Sequence, residues 1–469
     1  MRMLRLLLMS AVVALPQELP TPVKEAITVL DSWVQAKVAE REQPGLSIGI
    51  VHDQRLVWAK GYGFADLEKK IAATPATSYR IASISKLFTA TALLQLRDAG
   101  KLGMDDAVAE HLDWFDVKSR FHDTPGITIW HLITHTSGLP RESPVPYWNT
   151  KQFPSREEMI AMLAKQEAVF APETEWKYSN LALAIAGEVV QSVSGEPYAA
   201  YIEGKILKPL GMTATRVLPQ PGQAGLAAGY LRRAAGQARQ PEEFTHTKGI
   251  APAANLSSNV EDLAKFMMLQ FRDGKPGGAQ ILRGATLREM QRIHWLRPDW
   301  RGGSGLGFQI RRAGSQTRVG HGGSLGGYRT QIEFVPEDKL GVIVLTNSND
   351  GDPMLYVDQA FQIAGPAIVK ALAKPKPAPK PDPKWDKYTG AYTWRNEESM
   401  VIVIEGQLCV VTSGADNPWE TRTRLEPVTE HTFRMKGGAS PGELLRFEMD
   451  AAGNVTRMWA GSGFRDRKK

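Results

Sequence analysis

Apolar residues near both ends of a long N-terminal region fall in the short alternating or continuous runs that strands require. "PGLSIGIVHDQRLVWAKGYGFAD" (44–66) predicts two strands joined at His52 to Arg55. "TRVGHGGSLGGYRTQIEFVPEDKLGVIVLTN" (317–347) predicts three, with "PEDK" as a tight turn. Between them the spacing becomes helical, over Ser85 to Ala99, Ser155 to Gln166, Ser179 to Val193, Tyr198 to Leu207 and Val260 to Arg272, several led by a capping Ser or Asn. The simplest closure pairs the terminal strands in one antiparallel sheet, lays the Ser83 helix over it and leaves the middle as a helical lobe, an α+β arrangement.

That pattern stops at "KPKPAPKPDPK", where five prolines from Pro375 to Pro383 alternate with mostly charged residues. Such a run favours extended polyproline II and opposes helix and sheet, so 371–385 reads as a spacer. Beyond it, "YTGAYTW", "SMVIVIEGQLCVV", "HTFRMKG" and "ELLRFEMDAAGNVTRMWA" are short strand-like runs broken by Gly, Asn and Asp. Residues 386–469 therefore predict a small all-β domain, barrel-like, and 25–370 the large domain. No internal repeat is present.

Composition changes this picture little. At 469 residues, 42% hydrophobic and 23% charged, the chain is that of a globular protein too long for one ordinary core. The net charge of +7 is spread without a dense basic block, which argues against a nucleic-acid partner. The single cysteine, Cys409, lies in an apolar run and reads as a buried inert thiol. "MRMLRLLLMSAVVALPQ" has two arginines, an apolar stretch of about ten residues and then small residues, the make-up of a signal-peptide core and too short for a bilayer span. A leader over 1–16 and a secreted or periplasmic location are the expectation, with no membrane insertion of the mature chain.

The chemistry concentrates in "RIASISKLFTA" (80–90), where Ser83 stands three residues before Lys86 at the start of an apolar helix. Residues i and i+3 share a helix face with Cβ atoms about 5–6 Å apart, so the amine can reach the hydroxyl. The helix N-terminus and the apolar Leu87, Phe88, Leu93 and Leu94 both disfavour a protonated lysine, leaving an amine able to take the serine proton. Taken alone, Ser-x-x-Lys is common, and a surface lysine behind a capping serine would look the same.

Three further stretches occur in order: "HLITHTSGLP", "YSN" at Tyr178 to Asn180, and "VGHGGSLGGY". With "YRIASISKLFTATAL" they resemble the serine β-lactamase and penicillin-binding superfamily, especially the branch of class C β-lactamases, D-alanyl-D-alanine carboxypeptidases and β-lactamase-like esterases. The resemblance covers about residues 25 to 365 and implies a β-lactamase/transpeptidase-like fold. It makes Ser83 the nucleophile of an acyl-enzyme, Lys86 its activator, Tyr178 a proton relay and Asn180 a partner of substrate and Lys86. Where many lactamases carry Lys-Thr-Gly, this chain has His321-Gly322-Gly323. A histidine there titrates near neutrality and the glycines open the strand for backbone contact, which moves the resemblance toward esterases and carboxypeptidases. The backbone N–H groups of Ser83 and Ser324 would form the oxyanion hole.

The rival readings have less behind them. "GGSLG" around Ser324 and "GLSIG" around Ser47 both match a Gly-x-Ser-x-Gly nucleophile elbow, but each continues as a strand where an elbow needs a helix, and only His431 follows Ser324. His131 and His135 have i, i+4 metal spacing without the glutamate after the first histidine. Packing and hydrogen bonding account for them better, and no metal or organic cofactor is expected. Tyr147, Trp148 and Trp176 are read as packing aromatics. The expected function is a serine hydrolase acting on small esters or D-amino-acid amides, its partner a small-molecule ester, peptide or β-lactam; a true β-lactamase and a catalytically silent binder of penicillin or peptidoglycan fragments are the alternatives. Oligomeric state is left open.

Overall fold

The computed structural model describes residues 18–272, 278–372 and 382–468. The chain divides into two compact units, Met1–Leu372 and Ala373–Lys469. The expected leader over 1–16 and most of the expected spacer lie outside the described residues. At the spacer's two ends the chain is helical. Ala371 and Leu372 close a helix, Gly365–Leu372, and Pro383–Tyr388 is a 3-10 turn. Proline suits that turn's first position, and the Asp382 carboxylate accepts from Lys384 N–H.

The first unit is built on one nine-stranded antiparallel sheet. Its order is Ile71–Ala72, Arg55–Asp66, Gly45–His52, Leu340–Thr346, Tyr328–Val335, Gln316–Leu325, Gln309–Ala313, Gly302–Ser304 and Trp295–Leu296. The two ends of the unit thus meet at its centre, Leu46 opposite Thr346 and His52 opposite Leu340. Side chains alternate across a strand, so Leu340–Thr346 serves two cores. Val342 and Val344 pack on one face with the helices Thr21–Glu40 and Pro353–Ile363, while Ile343 and Leu345 pack on the other with Ser85–Asp98 and Val260–Gln270.

Thr21–Glu40 buries Val23, Ile27, Leu30, Val34 and Val38, a stripe at helical spacing. It begins at Pro20 with no side-chain cap, and this helix, the final pair and the short strands of 295–313 are absent from the pattern-based reading. Three of the five expected helices start at side-chain caps: Ser155 and Ser179 accept from the backbone N–H groups of Glu158 and Ala182, and Asn259 from that of Asp262, whereas Ser85–Asp98 and Tyr198–Ile202 begin without one.

The second unit is a closed eight-stranded barrel from Gly390 to Arg467. Tyr388 and Phe447 stack in its core at 4.5 Å beside Tyr392, Val401, Leu408 and Phe433. Cys409 is a buried free thiol, raised by burial. His431 accepts or donates at Nδ1 to the Tyr388 hydroxyl, 2.7 Å away.

Leu30→Ala tests whether the unheralded first helix is integral to the larger unit. Full burial predicts a loss of about 2–5 kcal/mol in urea unfolding followed by a probe of that unit; a loss near zero would mean the helix is peripheral.

Candidate active site

Ser83 lies in a 3-10 turn, Ala82–Ile84, which runs directly into the helix Ser85–Asp98. The α-helix therefore begins two residues later than its serine. Ala82 takes a left-handed φ of 49°, a strained conformation for a residue with a Cβ, of the order of 1–2 kcal/mol. It is held there by tertiary bonds. Ile81 N–H donates to Leu256 O, and Thr330 Oγ1 donates to Ile81 O at 3.2 Å. Ser83 itself stays partly exposed at the surface of the cleft.

Lys86 is fully buried, and its Nζ stands 3.1 Å from Ser83 Oγ, 2.7 Å from Asn180 Oδ1 and 2.8 Å from Ala253 O. The Ala251–Ala254 turn that presents this carbonyl is tied down from three sides. Thr89 Oγ1 donates to Pro252 O, Leu256 N–H donates to Ser85 Oγ, and Gly187 leaves room for the Pro252 ring, which a Cβ there would overlap. Burial drives the lysine's proton affinity well below the ordinary range; Arg141 lowers it further and Glu142 opposes. Releasing a proton at pH 7 from an amine of ordinary pKa 10.5 costs about 5 kcal/mol. An ammonium stripped of water costs several kcal/mol as well, so burial pushes this lysine toward its uncharged form.

Tyr178 hydrogen-bonds Ser83, and burial pushes its phenol up to about 12. Lys86 and Arg141 stand 4.9 and 5.0 Å from its ring centre. The wall behind the ring is the expected "HTSGLP" stretch. His135 packs on Tyr178 with ring centres 4.4 Å apart, and its Nδ1 accepts from Ser179 N–H. Gly138 has φ 67°, and a Cβ there would overlap the Phe170 carbonyl. His131 turns away to cap its own helix, its Nδ1 accepting from Thr128 N–H at 3.0 Å. The i, i+4 pair thus serves two separate packing jobs.

On the opposite side, the Gln316–Leu325 strand brings His321, Gly322, Gly323 and Ser324. A Cβ at Gly323 would overlap both the Ile81 carbonyl oxygen and the Thr330 hydroxyl, so glycine lets this strand lie against the turn that carries Ser83. Ser324 is exposed and the chain continues into the Tyr328–Val335 strand; Ser47 is bonded inside the sheet to Thr74 O and the Tyr79 hydroxyl. Neither serine sits on a strand-to-helix elbow.

His321 differs from its expected behaviour. It is buried, and burial, with Lys86 nearby, depresses its imidazole to about 3 in place of a titration near neutrality. Its Nδ1 faces the Gly322 carbonyl at 2.6 Å and therefore donates, leaving Nε2 as an acceptor with no partner among the described residues.

The pattern-based reading missed Glu142 and the Ala253 carbonyl. Glu142 Oε1 accepts from Asn180 Nδ2 at 2.6 Å and Oε2 accepts from the Tyr147 hydroxyl. The only signal in the sequence was position, since Glu142 directly follows the wall stretch and Arg141. Tyr147 is thereby part of the support, while Trp176 donates from Nε1 to Ser304 Oγ and lies 6.3 Å from the Tyr178 ring.

A family model described as beta-lactamase matches residues 30–364. The chain belongs to the beta-lactamase family. Its fold is that of the beta-lactamase-like serine hydrolases and penicillin-binding proteins. The octameric penicillin-binding protein homologue from Pyrococcus abyssi superposes with a TM-score of 0.63 at 27% identity, covering 94% of this chain and 100% of that one. A beta-lactamase/D-alanine carboxypeptidase from Yersinia pestis, complexed with citrate, shares the fold with a TM-score of 0.61 at 23% identity over 73% of this chain and 98% of its own. "Protein flp" of Staphylococcus aureus (strain COL) is 27% identical over 321 residues, 68% of this chain. The chain spans about 63% of that relative's length. "Beta-lactamase-like protein 2" of Dictyostelium discoideum is 25% identical over 459 residues, 92% of this chain and 82% of that protein.

In this beta-lactamase-family site the imidazole of His321 should stay neutral from pH 5 to 8. Its ring resonances in NMR are expected to be flat across that range and to move only toward pH 3; a midpoint near 6.5 would refute the burial argument.

Proposed function

We propose that the protein is a serine hydrolase that forms an acyl-enzyme on Ser83 and acts on small esters or D-amino-acid amides. One observation carries this reading: a fully buried Lys86 amine 3.1 Å from Ser83 Oγ. An uncharged amine has two N–H groups and one lone pair. Asn180 Oδ1 and Ala253 O, at 2.7 and 2.8 Å, take both N–H groups. The lone pair is then left to the Ser83 hydroxyl, which donates to it, so the amine is oriented as a base before substrate arrives.

In the acylation step Ser83 Oγ attacks the substrate carbonyl carbon and its proton passes to Lys86. The carbonyl π electrons move to oxygen, and backbone N–H groups at Ser83 and Ser324 would receive that charge, each such donor being worth about 2.7–4 kcal/mol in acyl transfer. The C–O or C–N bond then breaks and the leaving group takes a proton. With a pKa of about 12 the Tyr178 phenol holds its proton at neutral pH; it gives that proton to the leaving group and is restored by the proton that Lys86 took from Ser83. Water adds to the ester on Ser83 and releases the acid, Ser83 recovering its proton by the reverse path.

The uncharged His321 supports esters and amides over β-lactams, because it offers no fixed cation to a substrate carboxylate. Export belongs to the same proposal and rests on the arginine-led apolar leader.

Ser83→Ala should abolish turnover of a p-nitrophenyl ester, and a fluorophosphonate or fluorescent penicillin should label the peptide containing Ser83; label elsewhere would falsify the assignment. Tyr178→Phe should still be labelled while turnover falls about 10²-fold or more. Across a panel of esters, D-peptides and nitrocefin, faster nitrocefin hydrolysis would favour a true β-lactamase.

A further inference from the structure

Glu142 is attached to the site at second hand. Its side chain is 18% exposed, touches neither Ser83 nor Tyr178 by hydrogen bond, and is held by Tyr147, which is fully buried. What it does touch is the NH2 end of Asn180, at 2.6 Å. An asparagine amide has one donor end and one acceptor end, and the two are nearly equal in size. A carboxylate can only accept. Glu142 therefore claims the NH2 end and turns the carbonyl end to Lys86 Nζ, 2.7 Å away. With the amide reversed, two donors would face each other and the lone pair of Lys86 would no longer be directed at Ser83.

Glu142 also brings charge. The titratable and charged groups around Lys86 are Tyr178, His135, Arg141 and Glu142 from the lobe, and His321 from the sheet. Burial keeps both histidines neutral and the phenol protonated. The fixed charges that remain are Glu142 and Arg141, which pair with each other, Arg141 Nε lying 3.3 Å from Glu142 Oε1; Arg141 is 61% exposed and so screened by water, and the more buried carboxylate is the nearer to Lys86 through Asn180.

We propose that Glu142 is a positioning residue for the hydrolysis inferred above: it locks the Asn180 amide with Oδ1 on Lys86 and supplies the buried negative charge that preserves the basicity of the amine. This rests on the Ser83–Lys86 reading. Too strong a desolvation would leave an amine that is free but a poor base, and a nearby anion corrects that.

The test is kcat/KM for a p-nitrophenyl ester against pH in the full chain and in Glu142→Gln, after fluorophosphonate labelling of each. Glutamine keeps the size and an acceptor oxygen and removes the charge. Lys86 works unprotonated, so kcat/KM falls as pH drops through its pKa. Losing the anion lowers that pKa, and the acid limb should move to lower pH by about one unit while the plateau falls about tenfold. Arg141→Gln, at an exposed position, should move the limb the opposite way and by less. A plateau that falls in Glu142→Gln with the limb unmoved would mean a merely structural role and overturn the proposal, as would an unmoved limb in Glu142→Ala should Glu142→Gln fail to fold. Absence of label at Ser83 in the unaltered chain overturns the hydrolase reading and this inference with it; label with an unmoved limb overturns only the role of Glu142.

Discussion

The site depends on one constraint: an amine with no access to water, surrounded by three oxygen atoms. Lys86 has no exposed surface, so its charge cannot be solvated, and its partners are a hydroxyl and two carbonyl oxygens that carry no formal charge. A salt bridge would have kept the lysine protonated and inert as a base. Here the acidic group stands one hydrogen bond further out, behind Asn180, where it tunes the amine without neutralising it.

Each of these oxygens is delivered by a different part of the fold. Ser83 comes from a strained turn pinned by Leu256 and Thr330, Asn180 from the first turn of a helix capped by Ser179, and Ala253 from a turn bonded to Thr89. The sheet provides the rigid floor. Its third and fourth strands come from opposite ends of the unit, so the sheet that carries Gln316–Leu325 against the Ser83 turn joins both ends of the chain's first unit. Gly323 sets how close that approach is, since any Cβ would meet the Ile81 carbonyl.

The same burial that frees the lysine silences the histidines. His135 and His321 flank Tyr178 at 4.4 and 6.2 Å, and both are held neutral by loss of water. His321 Nε2 is left buried without a hydrogen-bond partner among the described residues, and the phenol stays protonated.

Local features were legible in the sequence alone. One helical turn places Ser83 and Lys86 together whatever surrounds them, Tyr178 and Asn180 flank a capping serine, the strand and helix periods follow from side-chain alternation, and the all-β character of the second unit shows in its spaced runs. The helix Thr21–Glu40 escaped because it opens on Pro20 with no capping side chain, and the strands of 295–313 because they are two to five residues long. What only the tertiary structure decided is set by distance in the chain. Lys86 meets Asn180 and Ala253 across 94 and 167 residues. Glu142 acts through Asn180, Ala82 is forced left-handed by bonds to distant strands, and His321 loses its titration because a packed core excludes water. Proton affinity is a property of the surroundings, and for these residues the surroundings exist only once the chain has closed on itself.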